Sequence, residues 1–450
     1  MKLAIIGGGP AGFYLASRIL SRSSDPALRI HIFDRLWSPH GLVRYGVAPD
    51  HPEVKNCTHK FDEQVASDGR FSFFGNVNVG NSAPLQNTIH IPLRDIQRNY
   101  SHLVFTTGCT VPTNHSALPP SPWVIPALRF VHWYTQHPSS PPAPALDKMT
   151  RVALIGNGNV ALDIARMLLT DPSVLQQYDV PVSVLSILKQ SKVSHVDILA
   201  RRGPLQAAFT AKELRELLNL PNAAMEPIPS ELLAIPADTT PSRAQSRIFQ
   251  LLQKGSKMSF GNTPKSFSLR FFVNPTGLVP PLSEGMPQLQ LEQTSLDAAG
   301  RALSGSRLPP LPVSLVVPSI GLQPDPALGP IRTRAGRVLS ANGHSVLKNM
   351  YAAGWAATGA RGVIATTMMD AYAVGDTLLD DLGGCEGEMH MNPEPSDDRP
   401  PEVIQTANRI VTSYADWKRV DAEEVRRGQQ QGKERERMTW SEARAFLWDL

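Results

Sequence analysis

The chain has 450 residues, 42% hydrophobic and 19% charged, with formal charge +4 and a pI near 8.9. That is a core-forming protein of two or three domains, and so mild a positive charge does not argue for a nucleic-acid binder. Its three cysteines, Cys57, Cys109 and Cys385, lie far apart with no C-x-x-C, so neither a redox dithiol nor a zinc site is signalled. Such sparse cysteine suits a reducing compartment. No apolar run reaches the roughly 18 residues of a membrane helix. The first strand starts at residue 3, so a presequence is expected to be absent or already removed.

The first stretch, MKLAIIGGGPAG, joins an apolar run (Leu3 to Ile6) to Gly7-Gly8-Gly9-Pro10-Ala11-Gly12. Phe13, Leu15, Ala16, Ile19 and Leu20 follow at helical spacing. This predicts strand, tight turn and helix with G-x-G-x-x-G at the junction. Gly7 permits the turn, Gly9 lets backbone approach a pyrophosphate, and Gly12 lets the helix sit close on the strand. The helix N-terminus adds partial positive charge. An acid, Asp34, ends a second predicted strand, Arg29 to Phe33.

An irregular loop from Trp37 to Asn56 leads to a polar-patterned helix and then to Phe71–Gly80, read as one strand-like segment. A helix is predicted over Leu93–Tyr100, and a buried strand over His102–Phe105, which runs into Thr106-Thr107-Gly108. Residues 110–150 are Pro-rich and read as a connector.

The fingerprint then recurs. Arg151–Ile155 meets Gly156-Asn157-Gly158-Asn159-Val160-Ala161, with Ala161 in place of the third glycine. Two complete fingerprints predict two dinucleotide sites. After Asp171–Lys192, read as an inserted loop and helix, the next strand (Ser194–Ala200) ends in Arg201-Arg202-Gly203-Pro204 with no acid. Arginine forks accept a 2′-phosphate, whereas an acid would take a 2′-hydroxyl. The second site therefore reads as NADP-preferring, the alternative being a solvated basic turn.

A mixed-charge helix is predicted over Thr210–Leu217, and a surface loop plus helix over 221–265. Strands are predicted over Leu269–Val273 and Leu289–Glu292. Val313–Pro318 runs into Ser319-Ile320-Gly321 and echoes Thr106-Thr107-Gly108. The last informative segment is a strand, Met350–Trp355, with a long helix from Gly362 through Leu379. Its N-terminus could offer N–H groups to a flavin's pyrimidine edge, or simply complete a Rossmann sheet. The tail from Pro393 is charged and Pro-rich, then helical over Val403–Val420 and Trp440–Leu450.

Seven stretches in order, GGGPAGFY, HGLVRYGVAPDHPEVKN, FFGNVNVG, GNGNVALDIARMLL, RRGPLQAAFTAKELRE, GVIATTMMDAY and DAEEVRRGQQQGK, make the chain resemble the adrenodoxin reductases. These are mitochondrial-type ferredoxin–NADP reductases of glutathione-reductase-like fold. The resemblance implies an α/β protein of two Rossmann-like domains. FAD binding falls to residues 1–110 and 329–450, and NADP binding to an inserted domain, 111–328. It implies hydride transfer from NADPH to FAD, then single electrons to an acidic [2Fe–2S] ferredoxin.

For FAD the resemblance implies the turn at Gly7, Gly9, Ala11 and Gly12, with Asp34, Leu42, Val79, Trp355, Gly362, Val363 and Ile364. For NADP(H) it implies Asn157, Gly158, Asn159, Val160, Arg201, Arg202, Glu213 and also Gly362. Arg215, Arg243 and Arg247, with Lys212 weaker, are expected to dock the ferredoxin. His51 and Asp163 are the candidate tuners or proton carriers at the flavin, His51 equally serving as a loop cap. The implied protein is monomeric, without metal or transmembrane segment but free to associate peripherally with a membrane. It lies on the matrix side of the inner mitochondrial membrane, the cytoplasm being the alternative.

The sequence departs from the family in three places: Asp34 replaces the usual Glu, residues 109–126 lack the acidic Gly-containing linker, and Ala356-Ala357-Thr358 replaces charge near the nicotinamide. Two other classes stay open, a glutamate-synthase-small-subunit-like module and a non-catalytic nucleotide-binding protein. The former would carry N-terminal cysteine clusters, and a monooxygenase an F-x-G-x-x-x-H pattern between the fingerprints. Neither is present.

Overall fold

The computed structural model describes residues 1–450 apart from 81–84, 86, 236–238, 282–284, 385, 408 and 450, so Cys385 lies outside the described residues. The chain separates into two compact units. One comprises Met1–Val111, Thr135–Ser140 and Leu322–Leu450, the other Pro112–Tyr134 and Pro141–Gly321.

The first unit is built on a parallel sheet in the order Val346–Ala352, His102–Phe105, Lys2–Ile6, Arg29–Phe33, Phe71–Phe74. Its central strand Lys2–Ile6 is buried throughout, which is why the sequence shows an apolar run there rather than alternation. In register, Ile5 faces Ile32 on one side and Val104 on the other. Helix Pro10–Arg22 lays Phe13, Leu15, Ile19 and Leu20 on the core, each contributing about 1.5–3 kcal/mol of burial.

The second unit repeats this plan. Its parallel sheet runs Ala223–Met225, Lys265–Phe271, His195–Ala200, Arg151–Ile155, Leu315–Pro318. In both sheets the fingerprint strand lies between the second strand and the strand that ends in Thr-Thr-Gly or Ser-Ile-Gly. The echo between those two exits is thus one of fold, and the α/β, doubly Rossmann-like class holds. The second unit also carries a three-stranded antiparallel sheet, Val273–Val279, Gln288–Leu296 and Ala302–Pro312.

Several elements differ from expectation. Phe71–Gly80 is two strands in different sheets, Phe71–Phe74 and Val77–Val79. Gly75 bridges Thr412, and Asn76 turns the chain with φ +59°. The Pro-rich connector holds an amphipathic helix, Ala127–Tyr134, with six of its eight residues buried. The inserted segment after Asp171 has two helices, Pro172–Leu175 and Val182–Lys189. Near the C-terminus the expected single helix is Glu402–Thr406 and Tyr414–Gln430, the second started by a Ser413–Asp416 capping box.

Candidate functional site

The turn that opens the first unit has little freedom. Gly7 has φ +112°, and a Cβ there would sit 2.5 Å from the Thr106 carbonyl oxygen. A Cβ on Gly12 would overlap the Gly7 carbonyl oxygen. Gly9 is the opposite case: an added Cβ meets nothing within 4 Å. It precedes Pro10, the first residue of the helix, and no side chain caps that helix N-terminus. The turn is tight behind and open in front, with helix N–H groups facing the opening, as an incoming diphosphate requires.

Asp34 is 7% exposed and accepts from the Gly8 N–H at 2.6 Å and the Leu36 N–H at 2.7 Å. Burial pushes its carboxyl up to about 6 although both N–H groups pull it down. Each oxygen keeps a second lone pair for a ribose hydroxyl.

A second layer closes over the turn. The His40 N–H donates to the Gly8 carbonyl at 2.7 Å, and a Cβ on Gly41 would lie 3.2 Å from Gly9 Cα. His40 adopts φ +80°, its ring 3.2 Å from the Tyr414 hydroxyl, which donates to Asp62 at 2.6 Å. Leu42 begins the short helix Leu42–Tyr45 beside it. Arg44 in that helix forms a buried two-pronged pair with Glu424, at 3.0 and 2.6 Å. Val79 is buried in its strand.

The distant segment arrives at the same place. A Cβ on Gly354 would lie 2.7 Å from Ala11 Cβ, and the Gly354 N–H donates to Asp370 at 2.6 Å. The Trp355 indole donates to the Arg361 carbonyl at 2.9 Å. Gly362, at φ +80°, and exposed Val363 lead into helix Ile364–Asp381. The structure therefore brings Gly354 against Ala11 of the turn, with the segment that leads to Gly362–Ile364 following directly from it. Ala356-Ala357-Thr358 completes one helical turn with Trp355, pinned by the Thr358 hydroxyl on the Gly354 carbonyl at 3.1 Å. His51 is buried, and its side chain does not cap the Pro52–Asn56 turn.

In the second unit Gly156 repeats Gly7, with φ +108° and a would-be Cβ overlapping the Ser319 carbonyl oxygen. Gly158 repeats Gly9, with open space at its Cβ and no side chain capping helix Asn159–Leu169. The Asn157 Nδ2 is buried without a hydrogen-bond partner, a donor an anionic ligand would satisfy. Val160 is 41% exposed at the same turn. Asn159 accepts from the Thr210 N–H at 2.8 Å, tying the fingerprint helix to helix Ala211–Leu218. Arg166, 4% exposed, takes Asp163 at 2.7 Å and Glu213 at 3.1 Å. Both candidate carboxylates are thus held by one guanidinium, a role the sequence reading missed. Arg201 and Arg202 are exposed at the tip of their strand.

Gly8, His40, Gly41, Arg166 and Thr210 were not among the site residues expected from the sequence. The middle glycine of GGG and the His-Gly pair were the available signals for the first three. Helix spacing i, i+3 in Asp163 and Arg166 signalled the fourth.

A FAD-NAD(P)-binding family model matches residues 4–52. The chain is 36% identical to the mitochondrial NADPH:adrenodoxin oxidoreductase of Bos taurus, over 97% of this chain and 90% of that protein. The chain belongs to the NADPH:adrenodoxin oxidoreductase family. NADPH-ferredoxin reductase FprA of Mycobacterium tuberculosis is 32% identical, over 96% of each chain. The structure of M. tuberculosis FprA in complex with NADPH matches with a TM-score of 0.85 at 30% identity, covering 98% of both chains. The match spans nearly the full length of the chain. No helix among the described residues is long and apolar enough to cross a membrane.

Proposed function

We propose that this chain is an FAD-dependent NADPH:ferredoxin oxidoreductase that passes electrons singly to an acidic [2Fe–2S] ferredoxin. The observation that carries the reading is the paired turn geometry. Gly7 and Gly156 are each pressed against the exit strand, and Gly9 and Gly158 are each open in front of an uncapped helix. The first unit is assigned to FAD and the second to NADP(H). Bound FAD would supply an acceptor of two electrons that can be emptied one at a time.

The residues then divide the work. The turn Gly7–Gly12 would hold the diphosphate of FAD, Asp34 its ribose, and the N-terminus at Gly362–Ile364 the flavin's electron-rich edge. Leu42, Val79 and Trp355 are assigned to its apolar contacts. Asn157–Val160 would hold the NADPH diphosphate, with Arg201 and Arg202 on its 2′-phosphate. Arg166 fixes Glu213 and Asp163, so Glu213 would meet the nucleotide in the geometry that guanidinium imposes. Gly362 is assigned to both cofactors, and His51 and Asp163 to tuning the site.

Arg215, Arg243 and Arg247 are exposed on two helices packed against each other, Ala211–Leu218 and Arg243–Lys254. Among the described residues none of the three is in an ion pair, whereas Lys212 has Glu216 at 3.9 Å. A free basic face suits an acidic partner, and steers encounter more than it tightens binding. The protein is proposed to act as a monomer. The animal relative is named mitochondrial and the mycobacterial one is not, so the comparison fixes no compartment.

The test is the visible spectrum. The purified protein should be yellow, and anaerobic NADPH should bleach the flavin band while equimolar NADH does so far more slowly. A colourless protein that binds no added FAD sinks the assignment, and equal bleaching by NADH removes the role given to Arg201 and Arg202.

A further inference from the structure

The arginine pair sits on a turn that is held with unusual care. The Arg201 carbonyl accepts from the Thr294 hydroxyl at 2.8 Å, and the Arg202 carbonyl from the Phe272 N–H at 3.3 Å. The Thr294 N–H donates in turn to the Phe272 carbonyl at 2.9 Å. Gly203, buried, has no room for a side chain: a Cβ would lie 2.8 Å from Phe272 Cε2 and nearer still to Cζ. Phe272 itself has φ +56°.

That last value is the informative one. A bulky aromatic residue in the left-handed region is a backbone outlier, kept only where its surroundings over-determine it. Phe272 joins strand Lys265–Phe271 of the parallel sheet to strand Val273–Val279 of the antiparallel one. Its conformation lets its N–H reach Arg202 while its ring fills the space beside Gly203. Thr294 is 6% exposed and belongs to the neighbouring strand Gln288–Leu296, so the small antiparallel sheet is the platform under the turn.

A guanidinium discriminates a phosphate by a planar fork, and the fork is useful only if its Cα is fixed. We propose that Phe272 and Thr294 are positioning residues that set the enzyme's preference for a 2′-phosphorylated nicotinamide nucleotide, by fixing the backbone of Arg201-Arg202-Gly203. The inference rests on the reading that Arg201 and Arg202 receive the 2′-phosphate. Neither positioning residue need touch the nucleotide. What they supply is the orientation of the two arginines before the ligand arrives, so their loss should appear in NADPH binding and not in chemistry.

The experiment uses the holoenzyme with ferricyanide as acceptor and measures kcat and KM for NADPH and for NADH. Direct titration with 2′,5′-ADP is the binding readout that needs no turnover. Thr294→Val keeps shape and removes the hydroxyl, and Gly203→Ala drives a methyl into the Phe272 ring. Each should raise the NADPH KM and the 2′,5′-ADP Kd about three- to tenfold, with NADH parameters moving less than about twofold. Phe272→Ala opens space for that methyl, so the effects of Gly203→Ala and Phe272→Ala should be non-additive.

Arg201→Ala/Arg202→Ala is the control for the underlying reading and should nearly erase the preference for NADPH. If it does so while Thr294→Val and Gly203→Ala leave selectivity unchanged, or shift NADPH and NADH together, the positioning role is overturned. If the arginine variant itself keeps the preference, the assignment of the 2′-phosphate falls, and the inference with it.

Discussion

Removing Glu424 should strip a buried arginine of its charge partner. Glu424 is 0% exposed and meets Arg44, 6% exposed, through two hydrogen bonds of 3.0 and 2.6 Å. Burial works to discharge Arg44, and the Glu424 carboxylate overrides it, holding the guanidinium well above its ordinary value. The Met438 N–H also donates to Glu424 at 2.9 Å. Arg44 lies 4.6 Å from the Trp417 ring centre. Glu424→Ala would leave a buried cation facing aromatic faces and an N–H without its acceptor. Losing one partner of a buried pair costs about 3–5 kcal/mol, which in a unit of this size lowers the melting temperature by roughly 10 °C. Removing both charges is different: Arg44→Met/Glu424→Leu should recover much of the loss, because Arg435, 3.4 Å from Glu424, keeps Asp421 at 2.5 Å and only the Met438 N–H is left without its acceptor. Trp37 and Trp417 pack beside the pair, so tryptophan fluorescence during thermal melting reports it directly. The same loop carries His40 and its bond to Gly8, so flavin should leave at the lower temperature too. A loss below about 1 kcal/mol for Glu424→Ala, or a double variant as unstable as the single, would refute the reasoning.

Three further outcomes are expected. Gly9→Ala has room for its methyl and an ordinary φ of −79°, so it should fold normally yet bind FAD about tenfold or more weakly; Gly12→Ala, whose Cβ overlaps the Gly7 carbonyl, should lose melting temperature instead, and the two effects exchanged would contradict the geometry. The Asp34 carboxyl rises from 3.8 to about 6 on burial, so its contribution to folding is fully present below about 4 and is lost as pH rises through 6. A ribose hydroxyl prefers the ionised carboxylate, so FAD affinity measured by flavin fluorescence should strengthen from pH 5 to 7, and Asp34→Asn should flatten that profile. Arg243→Ala/Arg247→Ala should raise the apparent KM for an acidic ferredoxin roughly three- to tenfold and flatten its salt dependence, with flavin content unchanged; unaltered ferredoxin kinetics would remove those arginines from the docking face.

The features that were legible in the sequence are those enforced by local sterics. A glycine pressed against a neighbouring carbonyl must be glycine, so Gly7, Gly12 and Gly156 announced the turns and, through them, both Rossmann-like sheets. Buried parallel strands are apolar on both faces, so Lys2–Ile6 and Arg151–Ile155 stood out as runs. Helix Ala127–Tyr134 hid because its flanking prolines mark loops whatever lies between them, and Phe71–Gly80 read as one strand because Gly75 and Asn76 break it only by turning against Thr412.

The site divided along the same line. Residues whose role is to leave space, Gly9 and Gly158, could be named from spacing alone. Residues whose role is to hold another residue could not: Arg166 looks like any helix-surface arginine until Asp163 and Glu213 close on it. Phe272 looks like any strand aromatic until its backbone shows φ +56° beneath Gly203. The two fingerprints are steric copies of each other, since Gly7 with Gly9 and Gly156 with Gly158 have matching constraints. The two units differ 20 or more residues beyond each turn, with a buried carboxylate held by the Gly8 N–H in one and two exposed arginines with backbone held from behind in the other. On the function proposed above, the choice between the two cofactors would fall to the second strand's tip and to whatever fixes it.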